Sequence, residues 1–186
     1  MIFNDHSALE GQHAFLSPSN YHWINYDYER LESRWTRARA HILGTQLHEF
    51  AHNAIKLKIK LPKSQKTLNL YVNDAISYRM ACEQPLRYSD NAFGTADAIS
   101  FVKNLLRIHD LKTGITPASF KQLEVYAALF CLEYGYSPHD IQIELRIYQK
   151  NEVLTHIPEA DEIERIMDRI VDFDMRIEML KERSDA

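Results

Sequence analysis

The sequence predicts an α/β fold, a mixed sheet with an antiparallel hairpin flanked by helices. Three observations carry that expectation. Apolar residues recur at three- to four-residue spacing in the first half of the chain, then alternate between about residues 93 and 111. The two alternating stretches are separated only by Lys103 and Asn104, a link short enough to force an antiparallel hairpin. A helical segment, an alternating segment and a final helical stripe come after them, so the order is helices, hairpin, helix, strand, helix.

From the N-terminus, LSPSNYHW reads as a turn entering a helix, with Ser17 and Ser19 as capping types and Pro18 restricting its neighbours. A helix is expected from about Tyr28, with a second stretch from about Arg37 to Leu57. Its inward stripe is Ile42, Leu43, Leu47, Phe50, Ala54 and Leu57. Pro62 punctuates the chain. A helix from about Lys66 to Glu83 then turns Leu70, Ala75, Ile76 and Met80 inward. Strands are expected at Phe93–Val102 and Leu105–Leu111, the second ended by Thr113-Gly114. Pro117 and Ser119 open a helix from about Phe120 to Tyr134, stopped by Gly135. IQIELRIYQ alternates as a half-buried strand, and Glu152–Ile157 adds a short one. The last helix spans about Glu159–Arg183. Its seam of Ile163, Ile166, Ile170, Phe173, Ile177 and Leu180 is spaced like a coiled coil. Such a stripe packs on its own domain or makes a homo-oligomer contact.

Length and composition set outer bounds. At 186 residues, the chain is expected to form a single domain over residues 1–186, with an N-terminal helical segment to about residue 65 and a C-terminal helix at about 159–183. A content of 45% hydrophobic and 26% charged residues is that of a soluble globular chain. No apolar run is long enough to cross a membrane, and MIFNDHSALEG lacks the pattern of a secretory leader. The expected compartment is the cytoplasm, with no membrane partner. Cys82 and Cys131 are too few for a disulfide framework or a four-cysteine iron–sulfur cluster. No Walker-type phosphate loop occurs, so no nucleotide cofactor or motor is expected.

The net charge of −4 argues against a protein that coats nucleic acid by charge alone. The charge is uneven, however. Residues 159–186 hold ten acids and five bases, leaving the rest of the chain at +1. Within that rest, KLKIKLPKSQK places Lys56, Lys58, Lys60, Lys63 and Lys66 together without an acid. This is a candidate track for DNA phosphates, or else an ordinary solvated loop. Tyr21, Trp23, Tyr26, Tyr28 and Trp35 lie near Arg30, Arg34, Arg37 and Arg39, a mixture that suits single-stranded DNA or a packed helix equally well.

The residues richest in chemistry are Asp97, Asp110 and Lys112. Asp110 and Lys112, two apart on one strand, share a face. With the turn at 103–104, Asp97 falls roughly opposite Asp110 on the partner strand. Two converging carboxylates repel each other and lose hydration. A hard divalent cation, Mg²⁺ or Mn²⁺, relieves both penalties with oxygen ligands. Such a cation acidifies a water and neutralises charge on a phosphate, while Lys112 stabilises developing negative charge. The pattern points to phosphodiester hydrolysis. The bland alternative is a strand-end salt bridge.

These pieces resemble the PD-(D/E)xK nuclease superfamily, in its RecB-like and phage exonuclease branch. GTQLHEFA at 44–51 is similar to the early helix motif, which would make His48 a metal ligand. GTADAISF at 94–101 and IHDLKTG at 108–114 look like the two catalytic strands, carrying Asp97 and then Asp110 with Lys112. FKQLEVYAALF at 120–130 resembles the helix whose Gln122 and Tyr126 lie beside the active site and DNA. LSPSNYHW resembles the opening segment of such phage proteins.

The resemblance implies a restriction-endonuclease-like fold and a metal-dependent DNase. His48, Asp97, Asp110 and the Leu111 carbonyl would hold Mg²⁺ or Mn²⁺, with Glu49 as a further carboxylate nearby. It further implies an exonuclease acting on DNA ends or single strands in phage or prophage recombination or repair. The setting would be the bacterial or infected-host cytoplasm, with a recombination or annealing protein as partner. The iron–sulfur cluster of Cas-associated members is not expected here.

Two other readings of the sequence stay open. One is a non-catalytic DNA-binding or phage accessory protein on the same fold. The other is a zinc metalloprotease, because His48-Glu49-Phe50-Ala51-His52 satisfies H-E-x-x-H and puts both histidines on one helical face. That reading lacks an evident third ligand, with Asp74 or Glu83 as distant choices, and leaves Asp97, Asp110, Lys112, Gln122 and Tyr126 without a role.

Overall fold

The computed structural model describes residues 4–114 and 116–184. The chain divides into two compact units at the Thr45–Gln46 boundary. The first holds two 3-10 segments, Ser7–Leu9 and Pro18–Asn25, and the greater part of helix α1 (Tyr28–Lys56). The segment after Ser17 is therefore a kinked 3-10 helix. Ser17 gives it no side-chain cap, its hydroxyl being paired with that of Ser19 at 2.8 Å. The true cap of α1 is Asp27, whose Oδ1 accepts the Arg30 N–H at 2.8 Å. One continuous helix replaces the two expected stretches. In this unit Phe15 meets Trp35 edge-on at 5.2 Å, and Arg30 lies over the Tyr26 ring at 4.5 Å.

The second unit is an α/β body. It holds the last turns of α1, then α2 (Thr67–Ser77), β1 (Ala81–Arg87), β2 (Phe93–Val102), β3 (Leu105–Leu111), α3 (Lys121–Tyr134), β4 (Gln142–Gln149), β5 (Glu152–His156) and α4 (Ala160–Ser184). The five strands form one mixed sheet in the order β1-β2-β3-β4-β5, with β3 central. Every adjacent pair is antiparallel except β3 and β4, which α3 connects in parallel. Lys103 and Asn104 have φ of 53° and 59°, as do Lys150 and Asn151 at 52° and 62°. Two-residue turns of this hand match the twist of the strands they join.

The sheet is covered on both faces. Leu106 and Ile108 of β3 pack with Leu123, Ala127 and Leu129 of α3, Ile143, Leu145 and Ile147 of β4, and Ile163 of α4. The alternate residue Leu111 packs with Ala51, Ala54 and Ile55 of α1, Tyr71, Val72 and Ala75 of α2, Ala98 and Tyr148. Small residues at 51, 54, 75 and 98 let helix and sheet backbones approach closely.

The structure corrects several expectations. Of the α1 stripe in this unit, Ala54 is buried and Leu47 half-buried, whereas Phe50 and Leu57 are exposed; further up the helix Ile42 and Leu43 are exposed too. The next helix ends at Ser77, not Glu83, and buries Tyr71 and Val72 besides Ala75. Residues 81–87 form strand β1 instead, an edge strand that accommodates Pro85. Helices α1, α2 and α3 all stop through one hydrogen-bond pattern: Ile59 N–H to Ala54 O, Met80 N–H to Ala75 O, and Tyr136 N–H to Cys131 O. The left-handed residues of these stops are Lys58, Arg79 and Gly135, of which only the last is a glycine. The α4 seam divides: Ile163 is buried, Ile166 and Ile170 are half-buried, and Phe173, Ile177 and Leu180 are exposed. No helix among the described residues is long and apolar enough to cross a membrane.

Candidate active site

The hairpin sets the level of the acids. Backbone pairing of β2 with β3 ends at Ala98↔His109, so the next position places Asp97 level with Asp110. On the other side, β1 and β2 pair at Cys82↔Ala98 and Gln84↔Ala96, which puts Glu83 level with Asp97. Three carboxylates on three neighbouring strands thus reach one level of the sheet. Where the β2–β3 ladder stops, the Asp97 side chain takes over: its Oδ2 accepts the Leu111 N–H at 3.0 Å.

His48, on the last turns of α1, brings its Nδ1 to 3.5 Å from Asp97 Oδ2. His48, Glu83 and Asp97 each offer a ligand atom within 4.8 Å of the others, a set able to grip a cation. Glu83 has φ of 50° inside a strand, a conformation that costs a non-glycine residue about 1–2 kcal/mol. Strain of this kind persists where surrounding structure or function demands it.

Asp110 anchors the other half of the site. Its side chain is only 5% exposed. Oδ1 accepts from Lys112 Nζ at 3.0 Å, while Oδ2 is buried and has no hydrogen-bond partner. Lys112 Nζ also donates to Gln122 Oε1 at 2.9 Å, and Gln122 Nε2 donates to the Tyr126 hydroxyl at 3.2 Å. The Lys112 N–H bonds the Tyr148 carbonyl at 2.9 Å, so β4 holds the backbone of the lysine in line with β3. Tyr126 lies close over β2, where a Cβ added at Gly94 would come within 3.0 Å of its Cε1.

Electrostatics at the two aspartates point one way. Burial raises the Asp97 carboxyl above the usual carboxylate range, with Glu83 adding to the rise. The Leu111 N–H, His48 and Lys112 pull against it. Asp110 is raised by burial first and by the Asp97 charge second, opposed by Lys112 and His48. Both groups are therefore destabilised as anions, and one buried anionic oxygen lacks any donor. A divalent cation answers both deficits, and the carboxylate donors suit Mg²⁺ or Mn²⁺.

The remaining expected residues fall elsewhere. Glu49 is exposed and outside the His48–Glu83–Asp97 set. His52 lies outside it too, with its Nδ1 buried and unpartnered, so the ligand set around His48 is not the pair of histidines in H-E-x-x-H. Asp74 is engaged by the Tyr148 hydroxyl at 2.7 Å and by Arg146 at 3.3 Å. Lys56, Lys58, Lys60 and Lys63 are all exposed. Leu111 is buried and contributes its N–H to Asp97. A further trio of metal-ligating types, His139, Asp161 and Glu164, is solvent-exposed.

Glu83 is the residue that sequence reasoning placed wrongly, at the end of a helix and only as a distant zinc ligand. The signal was Pro85. Read as an edge-strand mark, it turns 81–87 into a strand and brings Glu83 to the acids. No family model matches the chain, and no curated protein matches its sequence.

Proposed function

We propose that this chain is a cation-dependent deoxyribonuclease of the PD-(D/E)xK kind, hydrolysing phosphodiester bonds. The observation that carries the reading is the buried Asp110 carboxylate, one oxygen clamped by Lys112 and the other left without a donor beside Asp97. A purely structural salt bridge has no use for two destabilised carboxylates at one level of a sheet.

Asp97 and Asp110, with His48 and Glu83 beside them, would hold Mg²⁺ or Mn²⁺; such an ion supplies charge neutralisation at the phosphate and acidity to a water. Lys112 places an ammonium where negative charge grows on the phosphoryl oxygens. Gln122 keeps that ammonium aimed, and Tyr126 fixes Gln122. Asp97 also ties the Leu111 backbone, locking the second strand to the first. The exposed lysines between Lys56 and Lys63 provide a landing surface for the DNA backbone. Activity on DNA ends in phage or prophage recombination or repair follows from the resemblance in motif order.

The test is purified protein with linear DNA and Mn²⁺. Cleavage that needs the metal, and that falls by about a hundredfold or more in Asp110→Ala and in Lys112→Ala, is the expected result. Metal-dependent cleavage unchanged in both variants would overturn the assignment.

A further inference from the structure

Helix α4 leaves an apolar stripe uncovered. Ile163 is buried in the core, and the same side of the helix continues through half-buried Ile166 and Ile170 to exposed Phe173, Ile177 and Leu180. The helix carrying the stripe is held in place on one flank. Asp174 accepts from Ser89 Oγ and, at 2.8 Å, from Asn91 Nδ2. Asn91 also donates to Glu178 at 2.6 Å and accepts from Lys181 at 2.6 Å. The loop between β1 and β2 therefore occupies that flank.

The other flank is basic. Arg169, Arg176 and Arg183 recur every seven residues, so they line up along one side of the helix, next to Phe173 and Leu180. The Arg169 guanidinium lies 5.0 Å from the centre of the Phe173 ring, which brings this flank over the stripe. A groove of about 450 Å³ separates α4 from α3, and Val125 lines it together with Ile166, Ile170 and Phe173. Lys121, Arg165 and Arg169 line it too, with one acid, Glu162. Lys121 is already paired with Glu124 at 2.6 Å. Among the described residues, Arg165, Arg169, Arg176 and Arg183 form no ion pair. Although residues 159–186 are net acidic, the open rim of the stripe is cationic.

That charge selects what covers the stripe. In a second copy of α4 laid antiparallel, Phe173 against Phe173, each Arg169 would face the other copy's Arg176, and like charges oppose that pairing. A helix with one apolar face and carboxylates beside it satisfies both the stripe and its rim. From Ile166 to Leu180 the stripe runs about 21 Å, room for about four turns of such a helix. We propose that this face of α4, with its groove against α3, docks an acidic amphipathic helix of a partner protein. Apolar side chains of that helix enter the groove beside Val125 and continue along Phe173, Ile177 and Leu180, and its carboxylates meet Arg169, Arg176 and Arg183. The inference goes beyond the nuclease reading, since none of these residues belongs to the candidate active site.

The experiment uses the full chain and a fluorescein-labelled synthetic peptide of about 18 residues, long enough to cover the stripe, with leucines at helical spacing and glutamates flanking them. A second peptide carries lysine at every glutamate, and a third scrambles the acidic sequence. In fluorescence anisotropy the acidic peptide is expected to bind at least tenfold tighter than either control. Arg169→Glu combined with Arg176→Glu, both at exposed positions, should weaken the acidic peptide at least tenfold and bind the lysine peptide more tightly than wild type does, a gain that unfolding cannot produce. Phe173→Asp should weaken the acidic peptide as well. No binding of the acidic peptide at submillimolar concentration, equal affinity for the scrambled peptide, or an affinity unchanged in the double-arginine variant overturns the proposal, whether or not the protein cleaves DNA. A dimer in sedimentation velocity that Phe173→Asp dissociates overturns it too, because a second copy then holds the face.

Discussion

Lys112 Nζ lies 3.0 Å from Asp110 Oδ1, closing a two-residue step along one face of the central strand. The pair is asymmetric in its needs. The lysine has a second partner in Gln122, whereas the other oxygen of the aspartate has none. That imbalance separates this arrangement from a simple surface salt bridge and generates the first prediction.

Asp110→Asn should abolish cleavage yet stabilise the metal-free protein. The Asp110 carboxyl is raised by burial and by Asp97. The folded state therefore favours its protonated form, and the benefit of that proton is complete below the ordinary value near 3.8. It is lost as pH rises through the elevated value in the folded state. Above that elevated value the native state carries the cost of a buried, repelled carboxylate, which the amide removes. In thermal melts without metal, the Asp110→Asn variant should melt a few degrees higher than wild type at pH 7, with the gain shrinking toward pH 4. A lower melting temperature at pH 7 would show that the Lys112 ion pair outweighs burial.

Gln122 and Tyr126 act on Lys112 in series, so their effects should be graded. Gln122→Leu removes one of two ammonium partners and should lower kcat by about tenfold. Tyr126→Phe should cost less. Gly94→Ala brings a methyl to 3.0 Å from the Tyr126 ring and should reproduce the Tyr126 defect without touching any polar group. Steady-state kinetics on linear DNA with Mn²⁺ measure all three. Equal kcat in wild type and Gln122→Leu would remove the glutamine from the mechanism.

Glu83→Gly tests whether strain at β1 serves a ligand. Glycine adopts φ of 50° at no steric cost, and one repulsive carboxylate leaves the cluster. The metal-free variant is expected to gain on the order of 1 kcal/mol in denaturant unfolding. Its Mn²⁺ affinity should fall about tenfold by calorimetry. A stability gain with unchanged Mn²⁺ affinity would show that Glu83 stands beside the ion without binding it.

His109 predicts acid sensitivity from the opposite face of the sheet. It is fully buried, 3.2 Å from the Tyr148 hydroxyl, and its Nε2 has no partner. Burial, reinforced by Arg146 and Arg107, lowers its pKa to about 3. Unfolding frees it to titrate near 6.5. The stability due to the neutral ring is complete above that pH and is lost as pH falls toward the depressed value. Between pH 6.5 and 4 the loss amounts to roughly 3 kcal/mol, at about 1.4 kcal/mol per pH unit. His109→Phe should flatten this slope in urea unfolding, and a wild-type slope retained in the variant would assign the acid sensitivity elsewhere.

How far the sequence foretold this arrangement can be traced residue by residue. The hairpin came through intact because the change of period after residue 92 and a two-residue link at Lys103-Asn104 leave one register open, and that register sets Asp97 against Asp110. The α3 boundary at Gly135 was also plain, since glycine marks a left-handed stop. The end of α2 was hidden because Arg79 occupies the equivalent stop, and a left-handed arginine carries no local signature. With that stop missed, the expected helix ran on into the start of β1 as far as Glu83. The buried face of α1 was misjudged for a different reason. Close helix–sheet packing selected Ala51 and Ala54 over the larger Phe50 and Leu57, and spacing alone does not tell a small inward face from a large exposed one. The groove beside α4 joins Val125 to Ile166, Ile170 and Phe173, and no local pattern connects the two helices.

A crystal of the full chain soaked in Mn²⁺ and measured for anomalous scattering tests the metal-dependent reading most directly. The expected result is a peak bound by Asp97 and Asp110, with Oδ2 of Asp110 among its ligands and Lys112 Nζ close by. A peak held by His48 with His52, one found only at the exposed His139–Asp161–Glu164 trio, or none at all would contradict it.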